Sequence, residues 1–250
     1  MNRNCLAENP QTAFLRQSPE YGGMITSLHS FSQNEEIYGE GEDVYYWYRV
    51  VSGTVRACNL LADGRRYIAE FFFSDDFFGF NAEERYLTSA EAVSGVVLAR
   101  YPWAALEHLS RTDPTLARRL HDVTMKNLAE TNTRMVLLAR KTAPERLASF
   151  LLDIADRTND GRRVELPMTR HDIADHLGLT YETICRVISG MKRSGMIKAP
   201  EGAHQIEFVD YPALEAMCAG RRGKIAAACG LRPHEKEGKA DKQCFRSLRA

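Results

Sequence analysis

The chain has 250 residues, 44% of them apolar and 26% charged, with 33 basic and 33 acidic side chains. This is the composition of a globular protein of more than one domain, and the absence of any apolar run of about 18 residues excludes a membrane-spanning helix. Six cysteines, at positions 5, 58, 185, 218, 229 and 244, are too scattered for a disulfide framework or a zinc site, and residues 1–22 lack the pattern of a signal peptide, so a reduced cytoplasm is the expected location.

The neutral total hides an uneven spread. Residues 1–110 carry 8 basic and 15 acidic side chains, a net −7. Residues 111–140 carry 6 and 3 (+3), residues 141–218 carry 10 and 12 (−2), and residues 219–250 carry 9 and 3 (+6). Bulk charge is basic only at the C-terminal end, so a nucleic-acid site elsewhere must be made by local placement.

Residues 1–24 show no periodicity and read as a flexible arm. From 25 to 110 short apolar runs alternate with turn residues: Ile37-Tyr38 before Gly39-Glu40-Gly41, Val44 to Val51 before Ser52-Gly53, Val55 to Leu61 before Asp63-Gly64, and Tyr67 to Phe73 before Ser74-Asp75. Val93 to Leu98 follows, with Ser94-Gly95 inside it. Turn signals roughly every 11 residues between β-branched and aromatic residues predict an antiparallel β-roll of jelly-roll type.

Leu116, Leu120, Val123, Leu128, Met135 and Leu138 then recur at helical spacing, and no proline interrupts Thr115 to Ala143. This predicts one long helix over 111–140 whose apolar stripe either packs on its own domain or, the reading favoured for a helix that bridges two regions, forms the seam of a homodimer, with Asn127 and Thr131 as polar interruptions that can fix register. Pro144 suits the first turn of a new helix, where its missing N–H costs nothing. A domain boundary is expected there, opening a unit over 141–218, with a basic extension over 219–250.

Residues 168–197 read MTRHDIADHLGLTYETICRVISGMKRSGMI. Thr169 with Asp172 three residues on is an acidic capping box. Ile173, Ala174 and Leu177 form a buried helix side, Gly178 permits a sharp turn, and Thr180 starts a second helix with Ile184, Val187, Ile188 and Met191 inward. This is a helix-turn-helix, whose second helix enters the DNA major groove. Its outer stripe holds Tyr181, Glu182, Cys185, Arg186 and Ser189. Glu182 suits a cytosine amino group and Arg186 a guanine edge, with Tyr181 and Cys185 as neighbouring base contacts. Thr169, Arg170, Ser189, Lys192 and Arg193 are the expected phosphate contacts. Cys185 is also a candidate redox site, because oxidation there would add bulk and negative charge facing phosphates. Met196-Ile197 and Gln205 to Val209 predict a β-hairpin wing. His171, Asp172, Asp175 and His176 are read as charged residues on a solvated helix face rather than as a metal site.

A β-roll reading EGEDVYYWYRVVSGTVRACNLLADGRRYIAEFFFSDDFFGF, a long helix and DIADHLGLTYETICRVISGMKRSGMI occur in that order. The arrangement resembles the CRP/FNR superfamily of bacterial transcription regulators over roughly residues 30–217. The resemblance implies an α+β protein: a cyclic-nucleotide-binding-like roll, a dimerisation helix and a winged helix-turn-helix. It implies a non-enzymatic homodimer, mainly an activator, that works with RNA polymerase on double-stranded DNA. In the family a Glu and an Arg of the reading helix recognise a TTGA-type half-site, and they match Glu182 and Arg186. The FNR branch usually has Ser where this chain has Cys185.

Cyclic-AMP binders of the superfamily carry Gly-Glu-Leu and then Arg-Ser in the phosphate-binding segment. Here those positions read Gly79-Phe80-Asn81 and Tyr86-Leu87, with Arg85 nearby. The cysteines of the FNR iron–sulfur cluster have no counterpart beyond Cys5 and the lone Cys58. No metal and no cofactor is therefore expected, and the chain is similar to the FixK subgroup. That resemblance implies control of microaerobic respiration or nitrogen-fixation genes. Competing readings are a regulator gated by a small molecule, or by haem on His29 or His108, and a cyclic-nucleotide-binding module of another protein. The helix-turn-helix argues against the last.

Overall fold

The structure, a computed structural model, describes residues 27–80, 84–105, 114–158, 162–200 and 204–219. The expected arm, the basic extension and His108 lie outside the described residues. The described chain divides into two compact units, one built from residues up to 136 together with 167–180, the other from 137–166 and 181 onward.

The first unit is a β-roll of two four-stranded antiparallel sheets. One sheet has the order β1 (Ser27–Phe31), β8 (Val96–Pro102), β3 (Tyr46–Ser52), β6 (Phe77–Phe78). The other has the order β2 (Glu36–Tyr38), β7 (Ser89–Ala92), β4 (Val55–Leu60), β5 (Arg66–Phe72). Strand β5 is thus an edge. Alternating side chains send Tyr38, Tyr48, Val50, Val55, Phe78, Ala90, Ala92, Val96 and Leu98 into one core, as period-2 patterning requires of strands buried on one face. A smaller cluster holds Trp47, Ala99 and Tyr101, with the Trp47 and Tyr101 rings stacked 4.3 Å apart.

Strands β3, β4 and β5 fall where the apolar runs predict them. Strands β1, β6 and β7 were not legible: SLHSF is half polar, FF is two residues long, and SAEA carries small side chains. The predicted run Val93 to Leu98 instead brackets a turn at Ser94-Gly95, after which β8 begins.

Helix α1 (Pro114–Arg140) follows, then α2 (Ala143–Thr158), with Pro144 in its first turn as expected. The last carbonyls of α1 lack intrahelical partners, and the Arg146 guanidinium supplies them, donating to Leu138 O at 2.6 Å and Lys141 O at 3.1 Å. In the second unit, α2 buries Leu147, Phe150, Leu151 and Ile154 at helical spacing. A three-stranded wing, ordered β10 (Ile197–Lys198), β11 (Gln205–Phe208), β9 (Arg163–Glu165), and the closing helix α5 (Tyr211–Ala219) complete it. The predicted hairpin is β10–β11, and β9 is an additional strand.

One turn depends on glycine. Gly53 sits at φ +90°, and a Cβ there would lie 2.3 Å from Gly95 O and 2.9 Å from Val96 Cα. Gly53→Ala is expected to destabilise the roll by at least about 1 kcal/mol, since both the backbone conformation and the space oppose it. The midpoint of urea unfolding measures this; an unchanged midpoint would contradict the packing.

Candidate nucleic-acid interface

Helix α3 (Arg170–Leu177) belongs to the first unit, and its start is set by a reciprocal cap. The Thr169 hydroxyl accepts from Asp172 N at 3.1 Å, while the Asp172 carboxylate accepts from Thr169 N at 2.9 Å. Its end is set by Gly178 in the left-handed conformation (φ 61°), which lets Leu179 N donate back to Ala174 O. Both features match the sequence reading, and α4 (Tyr181–Arg193) begins two residues after Leu179.

Helix α4 is sharply two-sided. Ile184, Val187, Ile188 and Met191 are buried. Tyr181, Glu182, Arg186, Ser189, Lys192 and Arg193 are exposed, and Cys185 is half-buried between the two faces. Spacings of three and four residues put Glu182, Arg186 and Ser189 on one stripe. The exposed rim ends in two cations, Lys192 and Arg193, near the helix C-terminus, where the helix dipole favours them. Thr169 is exposed and Arg170 half-buried at the start of α3. A stripe with one carboxylate, one guanidinium and a basic end can pair with base edges and phosphates. Among the described residues no group of three or more His, Cys, Asp or Glu side chains could hold a metal.

Asp172 is not solvated, which corrects the sequence reading at that residue, whereas His171 is exposed and Asp175 and His176 are half-buried. The Asp172 side chain is 3% exposed. One of its oxygens accepts from Thr169; the other accepts from Arg56 Nη1 at 3.2 Å and from Arg66 Nη2. Arg66 Nε donates to Asp175 at 3.0 Å. Arg56, itself buried, also pairs with Glu91 at 2.6 Å and donates to Asn34. His176 Nδ1 lies 3.0 Å from Ile68 O, with its ring against Phe71. Sequence reasoning missed this cluster because its partners come from β4 and β5. The paired arginines Arg65-Arg66 were a signal, but not one that told which would turn inward.

The seam residues on α1 are described in part. Leu128 and Met135 are 53% and 59% exposed in the single chain, and Leu138 is half-buried. The side chains of Leu116, Leu120 and Val123 lie outside the described residues. On the same stripe, one turn before Leu138, Arg134 is held to β5, donating to Ala69 O and to Glu70 at 2.8 Å.

The roll interior is filled by rings. Tyr38 stacks on Tyr86 at 3.7 Å, Tyr48 on Phe78 at 5.2 Å and Phe72 on Phe78 at 5.0 Å, and Tyr86 Oη donates to Tyr46 O. Burial pushes the Tyr38 and Tyr86 hydroxyls far up from their ordinary pKa, so both stay neutral. The hollow they leave, lined by Tyr38, Ala57, Phe72, Gly79, Phe80, Tyr86, Leu87 and Thr88, is about 120 Å³, well below the usual size of a small-molecule site of about 300 Å³ or more. Arg85 is turned to Asp43, 3.5 Å away at the surface. His29 is half-buried on β1.

Comparison with known proteins agrees with this geometry. A cyclic nucleotide-binding domain model matches residues 28–113, and a Crp-like helix-turn-helix domain model matches residues 145–217. The nitrogen fixation regulation protein FixK of Azorhizobium caulinodans is 43% identical over 175 residues, which is 68% of this chain and 71% of that protein. FixK of Bradyrhizobium diazoefficiens is 35% identical over 193 residues, 76% of this chain and 81% of that protein. The solved structure of FixK2 from Bradyrhizobium japonicum superimposes with a TM-score of 0.73 at 38% identity, covering 76% of this chain and 96% of that one. The chain belongs to the CRP/FNR family of DNA-binding transcription regulators, and is not an enzyme. Within that family it is FixK-like. Among the described residues no helix is long and apolar enough to cross a membrane.

Two cysteines of the described chain differ in a way that chemistry can read. Burial pushes the Cys58 thiol up to about 11, and its side chain is enclosed, whereas Cys185 is partly open. The nucleophile is the thiolate, so iodoacetamide at pH 7 should label Cys185 well before Cys58. Cys58 alkylation should rise only as pH approaches 11. Peptide mass spectrometry decides; equal rates at pH 7 would contradict the burial of Cys58.

Proposed function

We propose that the chain acts as a homodimer that reads a TTGA-type palindromic site through α4 and, with RNA polymerase, activates genes of microaerobic respiration or nitrogen fixation in the cytoplasm. The observation that carries this reading is the exposed Glu182–Arg186–Ser189 stripe on a helix whose opposite face is buried. The link to nitrogen fixation follows the names of the FixK relatives, nitrogen fixation regulation proteins, and the sign follows that of the transcriptional activatory protein AadR of Rhodopseudomonas palustris. Glu182 and Arg186 read a C·G pair, Tyr181 and Cys185 touch neighbouring bases, and Thr169, Arg170, Ser189, Lys192 and Arg193 hold phosphates. Leu128 and Met135, exposed in one chain, support a seam along α1 that continues through Leu116, Leu120, Val123 and Leu138. Cys185 lies at the edge of the reading stripe, so its oxidation would bring negative charge against the duplex and weaken binding.

Arg186→Ala is expected to cost about 1–3 kcal/mol on the cognate site through loss of a bidentate guanine contact, and to spare random DNA. Lys192→Ala should weaken all sequences alike and reduce the salt slope by about one. Titration of cognate and random duplexes at several salt concentrations separates the two. Equal weakening on both DNAs in Arg186→Ala would sink the base-contact role.

Leu128→Asp should break the dimer, because a charge in an apolar seam has no partner. Palindrome binding should fail with it, since two readers must reach half-sites about one helical turn apart. A stable dimer of this variant in sedimentation would place the seam elsewhere.

A further inference from the structure

Between Met125 and Ala139, helix α1 has two sides of different chemistry. Arg134 and Leu138, one turn apart, share a side, and Arg134 ties that side to β5 through Ala69 O and Glu70. Met125, Leu128, Asn132, Met135 and Ala139 form a separate row, and all five are exposed. Their spacings of 3, 4, 3 and 4 residues are those of positions a and d in a heptad repeat. Leu128 and Met135 take d; Met125, Asn132 and Ala139 take a.

The borders of the row fit the same repeat. Positions e and g hold Thr124, Ala129, Thr131, Val136 and Leu138, none of them charged. The charged residues of the stretch, Lys126, Glu130 and Arg134, fall at b, f and c. A face that stays in water carries charged and polar side chains, and this one carries apolar and small ones. It is also self-complementary. A second copy can lay the same row against it around a two-fold axis, with no like charges meeting. In coils with charged e and g positions, those charges set partner choice and direction. Here that selection must come from within the row.

Asn132 is the polar member. In a parallel pair held in register, each a side chain packs beside its own copy across the axis. One Asn132 carboxamide then donates from Nδ2 to Oδ1 of the other, and the two amides satisfy each other. A shift of one heptad would set Asn132 against Met125 or Ala139, leaving a buried amide without a partner and with its desolvation uncompensated.

We propose that Asn132 is the specificity-determining residue of self-association: it selects a second copy of this chain, parallel and in register, over shifted pairs and over chains with an apolar side chain at this layer. This rests on the homodimer proposed above, and over residues 125–139 it narrows that seam to the a and d row.

Asn132→Val is the test, since a β-branched residue at a with Leu at d keeps two strands and the position is exposed in the single chain. Thr133→Val, at the exposed neighbouring b position, is the control. Nitrogen-15-labelled unaltered chain is mixed with an equal amount of each unlabelled full-length variant, and dimers are counted by native mass spectrometry. Incubation lasts until labelled and unlabelled copies of the unaltered chain reach the random half of mixed dimer. An Asn–Val layer strands one amide. If two sorted pairs are favoured about ten-fold over two mixed ones, mixed dimer falls to about a quarter. Expected are about a quarter or less for Asn132→Val, half for Thr133→Val, and self-association of Asn132→Val tightened about ten-fold in sedimentation, as an apolar layer replaces the amides. A random half with Asn132→Val overturns the role of Asn132, and so does equal sorting by Thr133→Val. Unchanged or weaker self-association of Asn132→Val also overturns it, placing the residue outside the seam. If the unaltered chain sediments as a monomer at every concentration, the homodimer itself fails. A dimer that mixes at random fails only the role of Asn132.

Discussion

One buried carboxylate of the first unit constrains a helix and a sheet edge together. Asp172 is buried and yet charged, which is tolerable only with every oxygen partnered. Its four donors come from two places: Thr169, which starts α3, and Arg56 and Arg66, which belong to β4 and β5. A single side chain therefore both initiates a helix and fastens it to a sheet edge. Neither job can be altered without disturbing the other, because the two oxygens divide them.

Strand β5 is the other half of that constraint. It is the last strand of its sheet, and its free side is occupied by Arg134 of α1 at Ala69 and Glu70, and by His176 of α3 at Ile68. An edge that would invite pairing with another chain is thereby engaged by two helices. The strand that carries this traffic lies in the same sheet as Tyr38 and Ala57, which line the small hollow of the roll. Rings fill the interior beside that hollow, and this makes the sheet a packed support.

The legibility of these features differed for physical reasons. Helical spacing of Ile184, Val187, Ile188 and Met191 exposed the reading helix at once, since a two-sided helix declares both faces in one sequence window. Thr169, Asp172 and Gly178 were equally plain, because caps are local. Strand β9 was not legible: RVE has only Val164 to bury, too short a pattern to count. The burial of Asp172 was invisible for a different reason. Its guanidinium partners lie 116 and 106 residues away in sequence, and a charged residue on a short helix carries no mark of such a partner. The apolar stripe on α1 was legible as periodicity, and two of its members, Leu128 and Met135, are exposed in the single chain.

The attachment of α3 through charges has a consequence for its response to heat. Apolar contacts gain little further strength per unit area on warming. The desolvation penalty of ions, by contrast, falls as temperature rises, because the hydration of charged groups carries a strongly negative entropy. The Asp172–Arg56–Arg66 cluster therefore loses less of its hold on warming than a methyl-lined joint of equal strength would. Being largely enclosed, its inner pair is also shielded from the dissolved ions that weaken exposed contacts. In a warm or saline cell the joint between strand and helix is therefore less disposed to loosen than a methyl-lined or an exposed ionic joint of equal strength would be.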